Sequence, residues 1–406
     1  MRVARASAGR LRTRGVTLLE VLISMGIAFI GLLGVAAMLP VAIYYLNRGV
    51  VADNAAVFGR SAVSEFKARQ MNRANMWAVW NPNANAFVGF RAEPAETQPL
   101  NFVSPLVGQA ASFCIDGLML ARCVRDGNVP PSYFPAVPFG VDETRMARVT
   151  LRTQPGASPI IPPGNPNPLF TIPYLTADEI FFLTDQLSFT RPKDRTLPPV
   201  PDISLDANSL PEKRQFDPNL SWFATLSPIV GPSGGNPLSD MYTLSIVVVE
   251  ARDMRSDMSL NNTDEPVERV VDVYFHRAPG AAVPAGDWAG GSVVLVPRLN
   301  RSEKDLEVRP GHWVMLSGRF APAGASVFRW YRVVSADRDT SVLTAADVAL
   351  LYPPSASAGR PHREVALQGL DWNPNAVVRT QATIISGVVA VLEKTVRIES
   401  SSLWTR

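Results

Sequence analysis

Between Val16 and Asn47 the chain carries a single charge, Glu20. The uncharged stretch beyond it, Val21 to Asn47, exceeds the roughly 20 apolar residues a helix needs to cross a bilayer. Pro40 lies inside this stretch and cannot donate to the carbonyl of Ala36, so a kink or loosened turn is expected there. Gly26, Gly31 and Gly34 precede it. Such residues are common in membrane helices and equally suit a segment that flexes. The pattern then becomes one-sided. Val51, Ala55, Phe58, Ala62 and Phe66 recur at three- and four-residue steps, with Asp53, Arg60 and Lys67 on the opposite face. This predicts an amphipathic continuation of the helix whose Phe stripe docks on a sheet. Asn72, Asn75 and Pro82 mark its end.

Residues 78–140 hold short apolar pieces cut by prolines and read as loop-rich. Arg145 to Thr153 alternates as a strand does. Pro155 to Pro173, with seven prolines, and Pro192 to Pro218 read as stiff excursions. Met241 to Arg252 and Val267 to His276 form the clearest strand pair, β-branched along much of their length. Further strands are expected at Val293–Val296, His312–Leu316, Val327–Ser335 and Glu364–Gln368, and in a final run through Thr383–Ile398. Their mixture of apolar and charged positions suits half-exposed antiparallel strands. Thr344 to Leu351 reads as a short helix.

Glu20 changes the picture of the first segment. A carboxylate at the centre of a membrane helix costs about 2.5–3.5 kcal/mol on insertion scales, so something must offset it. The segment reads Arg14-Gly15-Val16-Thr17-Leu18-Leu19-Glu20. A cut after Gly15 would leave Val16 as a positively charged N-terminus, four residues before Glu20 on one helix face. A carboxylate near a helix start is also favoured by the helix dipole.

Gly15 followed by Val-Thr-Leu-Leu-Glu and an apolar run resembles the class III signal of type IV pilins and type II secretion pseudopilins. Ile30-Gly31-Leu32-Leu33-Gly34 looks most like the PilV-type minor pilins. The likeness covers about residues 9–46. It implies cleavage between Gly15 and Val16 by a prepilin peptidase and N-methylation of Val16, which stands where the family usually has Phe. It also implies assembly in which Glu20 meets a neighbouring subunit's N-terminal amine. The implied partners are that peptidase, other pilins or pseudopilins and the inner-membrane assembly platform. A basic leader and apolar run also suit a secretory signal peptide, with Ala36-Ala37 as its small-residue site, or a plain anchor. Against the former, secretory apolar regions usually run about 7–15 residues, and this run contains an acid.

Formal charge is +3, but Arg2, Arg5, Arg10, Arg12 and Arg14 lie in the leader. Of 39 basic residues 34 remain beyond it, against 36 acidic ones, so the mature chain is near −2. No nucleic-acid surface is suggested. The five arginines would hold the N-terminus in the cytoplasm, placing everything after about residue 46 outside it. Cys114 and Cys123 suit that compartment. They are a candidate disulfide or a pair of buried free thiols; no third ligand lies near enough in sequence for a metal site.

No catalytic constellation emerges. His276, His312 and His362 lack metal-ligand spacing. Gly231-Pro232-Ser233-Gly234-Gly235 matches G-x-S-x-G but sits among prolines rather than between a strand and a helix. Asp253, Asp257, Asn261, Asn262, Asp264 and Glu265 suit a solvated hairpin connection. Their spacing is not that of an EF-hand, although some members of the family bind calcium. Trp77, Trp80, Trp222, Trp288 and Trp372 are partner-binding or partly buried anchors.

The expected fold class is α+β: a long N-terminal helix packed on a pilin-like antiparallel sheet with an enlarged β-rich C-terminal part. The expected divisions are a leader (1–15), a membrane half-helix (16–46), an amphipathic half-helix (47–77), a loop-rich and β-rich region (78–279) and a C-terminal antiparallel β region (280–406). The expected role is structural rather than enzymatic, without cofactor: a low-copy or tip subunit, single-pass in the inner membrane and later on a filament or the cell surface. A pilin-anchored adhesin or ligand-binding protein is the alternative, and an enzyme on a pilin anchor ranks last.

Overall fold

The computed structural model describes residues 17–82, 85–89, 112–136, 144–153, 171–182, 189–190, 200–201, 203–205, 211–214, 220–229, 241–252, 267–278, 281, 290–298, 301–320 and 326–398. The chain divides into two compact units, Met1–Asp53 and Asn54–Arg406.

The first unit holds most of helix α1 (Leu18–Ala68), which continues through Pro40 as helix. Its side chains are exposed from Leu18 to Val50, including Leu18, Ile30 and Met38. This is the one helix among the described residues that is long and apolar enough to cross a membrane, with a mean hydropathy of 2.4 in its most apolar window.

The second unit begins on the same helix. Ala55, Phe58, Gly59, Ala62 and Phe66 are buried, as their spacing predicts. The helix ends at Ala68, earlier than expected: Gln70 takes a left-handed φ of 54°, and Trp77, assigned to the helix from sequence, opens a strand. In chain order the strands begin with β1 (Trp77–Asn81), β2 (Ala86–Gly89), β3 (Phe113–Ile115), β4 (Tyr133–Phe134) and β5 (Met146–Leu151). Two short pairs follow, β6 (Phe189–Thr190) with β7 (Val200–Pro201) and β8 (Ile203–Leu205) with β9 (Pro211–Arg214). Then come β10 (Leu220–Pro228), β11 (Met241–Glu250), β12 (Glu268–His276), β13 (Gly291–Pro297), β14 (Trp313–Phe320) and β15 (Ser326–Ala336). The last are β16 (Ser341–Val342), β17 (Leu351–Tyr352), β18 (Pro361–Gln368), β19 (Val377–Ile385) and β20 (Val388–Arg397). Short helices α2 (Gly117–Arg125), α3 (Tyr174–Phe181) and α4 (Ala345–Ala349) intervene.

The first sheet has the order β2-β1-β5-β3-β10-β11-β20, with β4 on β5. It is antiparallel except for the parallel pair β3–β5, so it departs from the wholly antiparallel sheet expected. The second sheet closes on itself: β13-β12-β19-β14-β15-β18, with β18 pairing back to β13, forms a six-stranded barrel. Its interior is filled by Val271, Leu295, Val314, Leu316, Tyr331 and Ile384 among others.

The two strands read as the clearest pair do not pair. β11 joins β10 and β20, whereas β12 joins β13, β17 and β19. The chain leaves the first sheet after β11, builds the barrel, and returns as β20 directly beside β11. The sheets therefore divide between β11 and β12 rather than at residues 279–280. Glu268 at the start of β12 lies opposite Ile385 at the end of β19, so the entry and exit of this insertion are adjacent. At the return, Gly387 has φ +82° with its Cα against the Glu250 carbonyl, and its own carbonyl accepts from Glu250 N–H at 2.8 Å. A side chain would collide there.

The first sheet is covered on both faces. On one, Gly59 of α1 packs directly on Leu392 of β20. On the other, Phe223, Val247 and Val249 share a core with Met315, Phe328 and Trp330 of the barrel wall. Trp330 Nε1 donates to Thr225 Oγ1 (3.1 Å), and the Phe328 N–H donates to Ser227 Oγ (3.0 Å).

Docking of the lower half of α1 is directly testable. Phe66→Ala should lower stability by about 3–5 kcal/mol, and Gly59→Val by about 1–3 kcal/mol through overpacking on Leu392. Val57→Ala, on the exposed face, should stay within about 0.5 kcal/mol. Thermal unfolding of the detergent-solubilised chain followed by tryptophan fluorescence measures all three; equal effects at positions 57 and 66 would mean that the stripe is not docked.

Candidate functional site

The N-terminal candidate is built by the start of α1. Gly15 and Val16 lie outside the described residues, and Glu20 sits in the first helical turn. Thr17 Oγ1 accepts from the Glu20 N–H at 3.3 Å, the bond an N-cap hydroxyl makes to the third helical residue. Thr17-x-x-Glu20 has the sequence form of a capping box, and of its two bonds the one accepted by Thr17 is made. Ser24 Oγ donates to the Glu20 carbonyl. The Glu20 side chain itself is exposed.

A second cluster was not anticipated. β5 reads Met-Ala-Arg-Val-Thr-Leu, and the Arg148 side chain is 0% exposed. Its Nη1 donates to Asp116 Oδ2 at 2.6 Å. Its Nη2 donates to Glu268 Oε1 and Oε2 at 2.6 and 2.7 Å, and its Nε to the Tyr133 carbonyl at 3.3 Å. Arg252, just after β11, grips Asp116 through two bonds of 2.9 and 2.6 Å. The Ala136 N–H donates to Glu268 Oε2 at 2.7 Å. Arg148 lies 5.2 Å from the Phe134 ring centroid and Arg252 4.6 Å from that of Phe223. Two carboxylates and two guanidinium groups thus neutralise one another in the interior. Asp116, Arg148 and Arg252 belong to the first sheet and its connections, whereas Glu268 opens the barrel.

Burial alone would raise the Asp116 pKa. The charges of Arg252 and Arg148, with the Arg252 hydrogen bonds, outweigh it and hold the carboxyl below the usual aspartate range. Cys114 and Cys123 are both free and buried, so the candidate disulfide is not formed. Cys114 is a β3 residue in the core between sheet and barrel, while Cys123 belongs to α2. Burial pushes the Cys114 thiol well up and Cys123 up to about 11, so neither is a ready nucleophile at neutral pH. With its donors and acceptors paired to one another, the cluster can orient the barrel on the sheet but presents no reactive group.

The remaining candidates are scattered. Among the described residues no group of three or more His, Cys, Asp or Glu can hold a metal ion. His276 is 3.5 Å from Glu364 at an exposed site, and His312 accepts from the Arg309 N–H at 3.4 Å. Residues 231–235, the acidic loop from Asp253 to Glu265, and Trp288 lie outside the described residues. Trp77, Trp80, Trp222 and Trp372 are buried; Trp77 donates to the Met71 carbonyl and Trp222 to that of Ile180, each at 2.9 Å, and Trp372 to Thr380 Oγ1 at 3.1 Å. No protein-family model, characterised protein or solved structure matches the chain.

The cluster generates a stability prediction. Arg148→Met strands Glu268 in the interior and should cost about 3–5 kcal/mol. Because Asp116 titrates below its unfolded-state value, its contribution is fully present above the ordinary aspartate range near pH 4. It is lost as pH falls through the depressed folded-state value. Asp116→Asn should therefore lower the melting temperature at pH 7 and flatten its decline below about pH 4. Parallel acid limbs in wild type and variant would contradict this.

Proposed function

We propose that this chain is a structural minor subunit of the type IV pilin and type II secretion pseudopilin kind, anchored by α1 and incorporated at low copy or at a filament tip. The carrying observation is the join of Gly15-Val-Thr-Leu-Leu-Glu20 to one continuous helix. That helix is apolar and exposed in its first part and carries a buried aromatic stripe in its second. A plain anchor needs only the first part, and a secretory signal peptide would be removed before the second. The inserted barrel adds bulk beyond the sheet that covers the helix, which suits a low-copy place better than every position of a packed filament. In this reading the leader stays cytoplasmic, prepilin peptidase exposes Val16, and Glu20 pairs with a neighbouring subunit's terminal amine during assembly.

Expression with a prepilin peptidase and partner pilins, followed by N-terminal mass spectrometry of membrane-extracted protein, tests the proposal. The chain should begin at Val16, and Gly15→Val should retain the leader. Glu20→Ala should remain membrane-inserted yet lose most cross-linking to the partner pilins. A mature start at Ala37, or equal cross-linking yields, would overturn the reading.

A further inference from the structure

The apolar part of α1 is longer than a bilayer requires. Val21 to Leu46 spans 26 residues, or about 39 Å of helix at 1.5 Å per residue, against a hydrocarbon core of about 30 Å. Apolarity alone therefore leaves the depth of the helix open by some six residues. One feature of the helix surface removes that freedom. Tyr44 and Tyr45 are 55% and 68% exposed, with their rings edge to face at 5.7 Å. The Arg48 guanidinium lies 5.5 Å from the Tyr44 ring centroid, and Arg48 is the first charge after Glu20. The side chains from Leu18 to Val50 are all exposed, so this aromatic and cationic group has solvent rather than a packed core around it. Phenol rings with an apolar body and a polar tip, beside a guanidinium, match the headgroup layer of a phospholipid bilayer, where such side chains concentrate.

We infer that Tyr44, Tyr45 and Arg48 form a collar that docks in the phospholipid headgroup layer at the end of the span away from the leader, and that this contact sets the depth of α1. The inference rests on the membrane-helix reading proposed above. With Tyr44 at that boundary, about 20 residues of hydrocarbon-spanning helix reach back to Met25. Glu20 then falls some 7 Å beyond the opposite hydrocarbon boundary, in the other headgroup layer. Its carboxylate avoids the hydrocarbon altogether, which removes the insertion cost that its sequence position suggests. The helix midpoint becomes Val35; without the collar the span is free to slide toward the leader, and one that begins at Val21, just clear of Glu20, is centred near Ile30.

The test uses the full chain in vesicles of phosphatidylethanolamine and phosphatidylglycerol. Single nitroxide labels are placed through Val21→Cys, Ala28→Cys, Val35→Cys and Val41→Cys. Cys114 and Cys123 are buried and stay in place, with the unsubstituted chain as the labelling blank. Relaxation by oxygen against a water-soluble nickel complex gives the depth of each label. The deepest label should be at position 35, with position 21 near the headgroups. Adding Tyr44→Ser, Tyr45→Ser and Arg48→Ser should shift the span toward the leader, so that the deepest of the four labels becomes position 28 instead of 35. A maximum at 28 with the collar intact, or one at 35 that does not move when the collar is removed, would overturn the inference while leaving the membrane helix standing. Four labels equally open to the nickel complex would overturn the membrane reading and the inference with it.

Discussion

Two guanidinium groups and two carboxylates, sealed between a sheet and a barrel, decide how the two β structures of this chain are held together. Each charge costs several kcal/mol to desolvate, so the cluster is tolerable only because the partners arrive together. Asp116 comes from the start of α2, Arg148 from β5, Arg252 from the exit of β11 and Glu268 from the entry of β12. Three belong to the sheet and its connections and one to the barrel. Such a cluster adds little over a well-packed apolar equivalent, but it penalises wrong orientations strongly, because any misdocking leaves a charge unpaired. The apolar contacts around it, from Phe223 to Trp330, then fill the remaining interface.

Topology explains why this join is needed. The barrel is inserted between β11 and β20, which pair with each other. Its entry and exit residues, Glu268 and Ile385, lie opposite each other at one edge of the barrel. The Arg148–Glu268 bonds and the Trp330–Thr225 bond lie on the interface itself and hold the barrel against the sheet. The opposite face of the sheet is covered by the second half of α1, where Gly59 lets the helix backbone approach Leu392. Helix, sheet and barrel thus stack as three layers within the second unit, and the sheet is buried on both faces. That explains why β10 is buried along its whole length instead of alternating.

What was legible in the sequence was whatever a local period could encode. The apolar run, the Phe58–Phe66 stripe, most strands after residue 290 and the capped helix at Thr344 all carry their signal within a dozen residues. The short helices α2 and α3 were missed because eight or nine residues between prolines give too brief a period. The partners of β11 and β12 were misjudged because both are β-branched and consecutive, while β11 pairs with β10 before it and with β20, some 140 residues further on. Arg148 gave only a faint sign, a lone cation in an otherwise neutral strand; its partners are 32 and 120 residues away, beyond any local reading. Glu20 was conspicuous from the start. Its bond to Thr17 runs from the backbone N–H and does not depend on the acid; the N-terminal turn itself favours a carboxylate there.

If α1 anchors the chain as proposed, one helix holds this three-layered body outside the cytoplasm and stays attached to it after leader removal. An alkaline phosphatase, active only after export, fused behind Arg406 tests that most directly when read together with membrane fractionation. The phosphatase should be active and remain in the membrane fraction both before and after prepilin peptidase has acted. An inactive fusion, or an active one released into the soluble fraction once the N-terminus is processed, would contradict it.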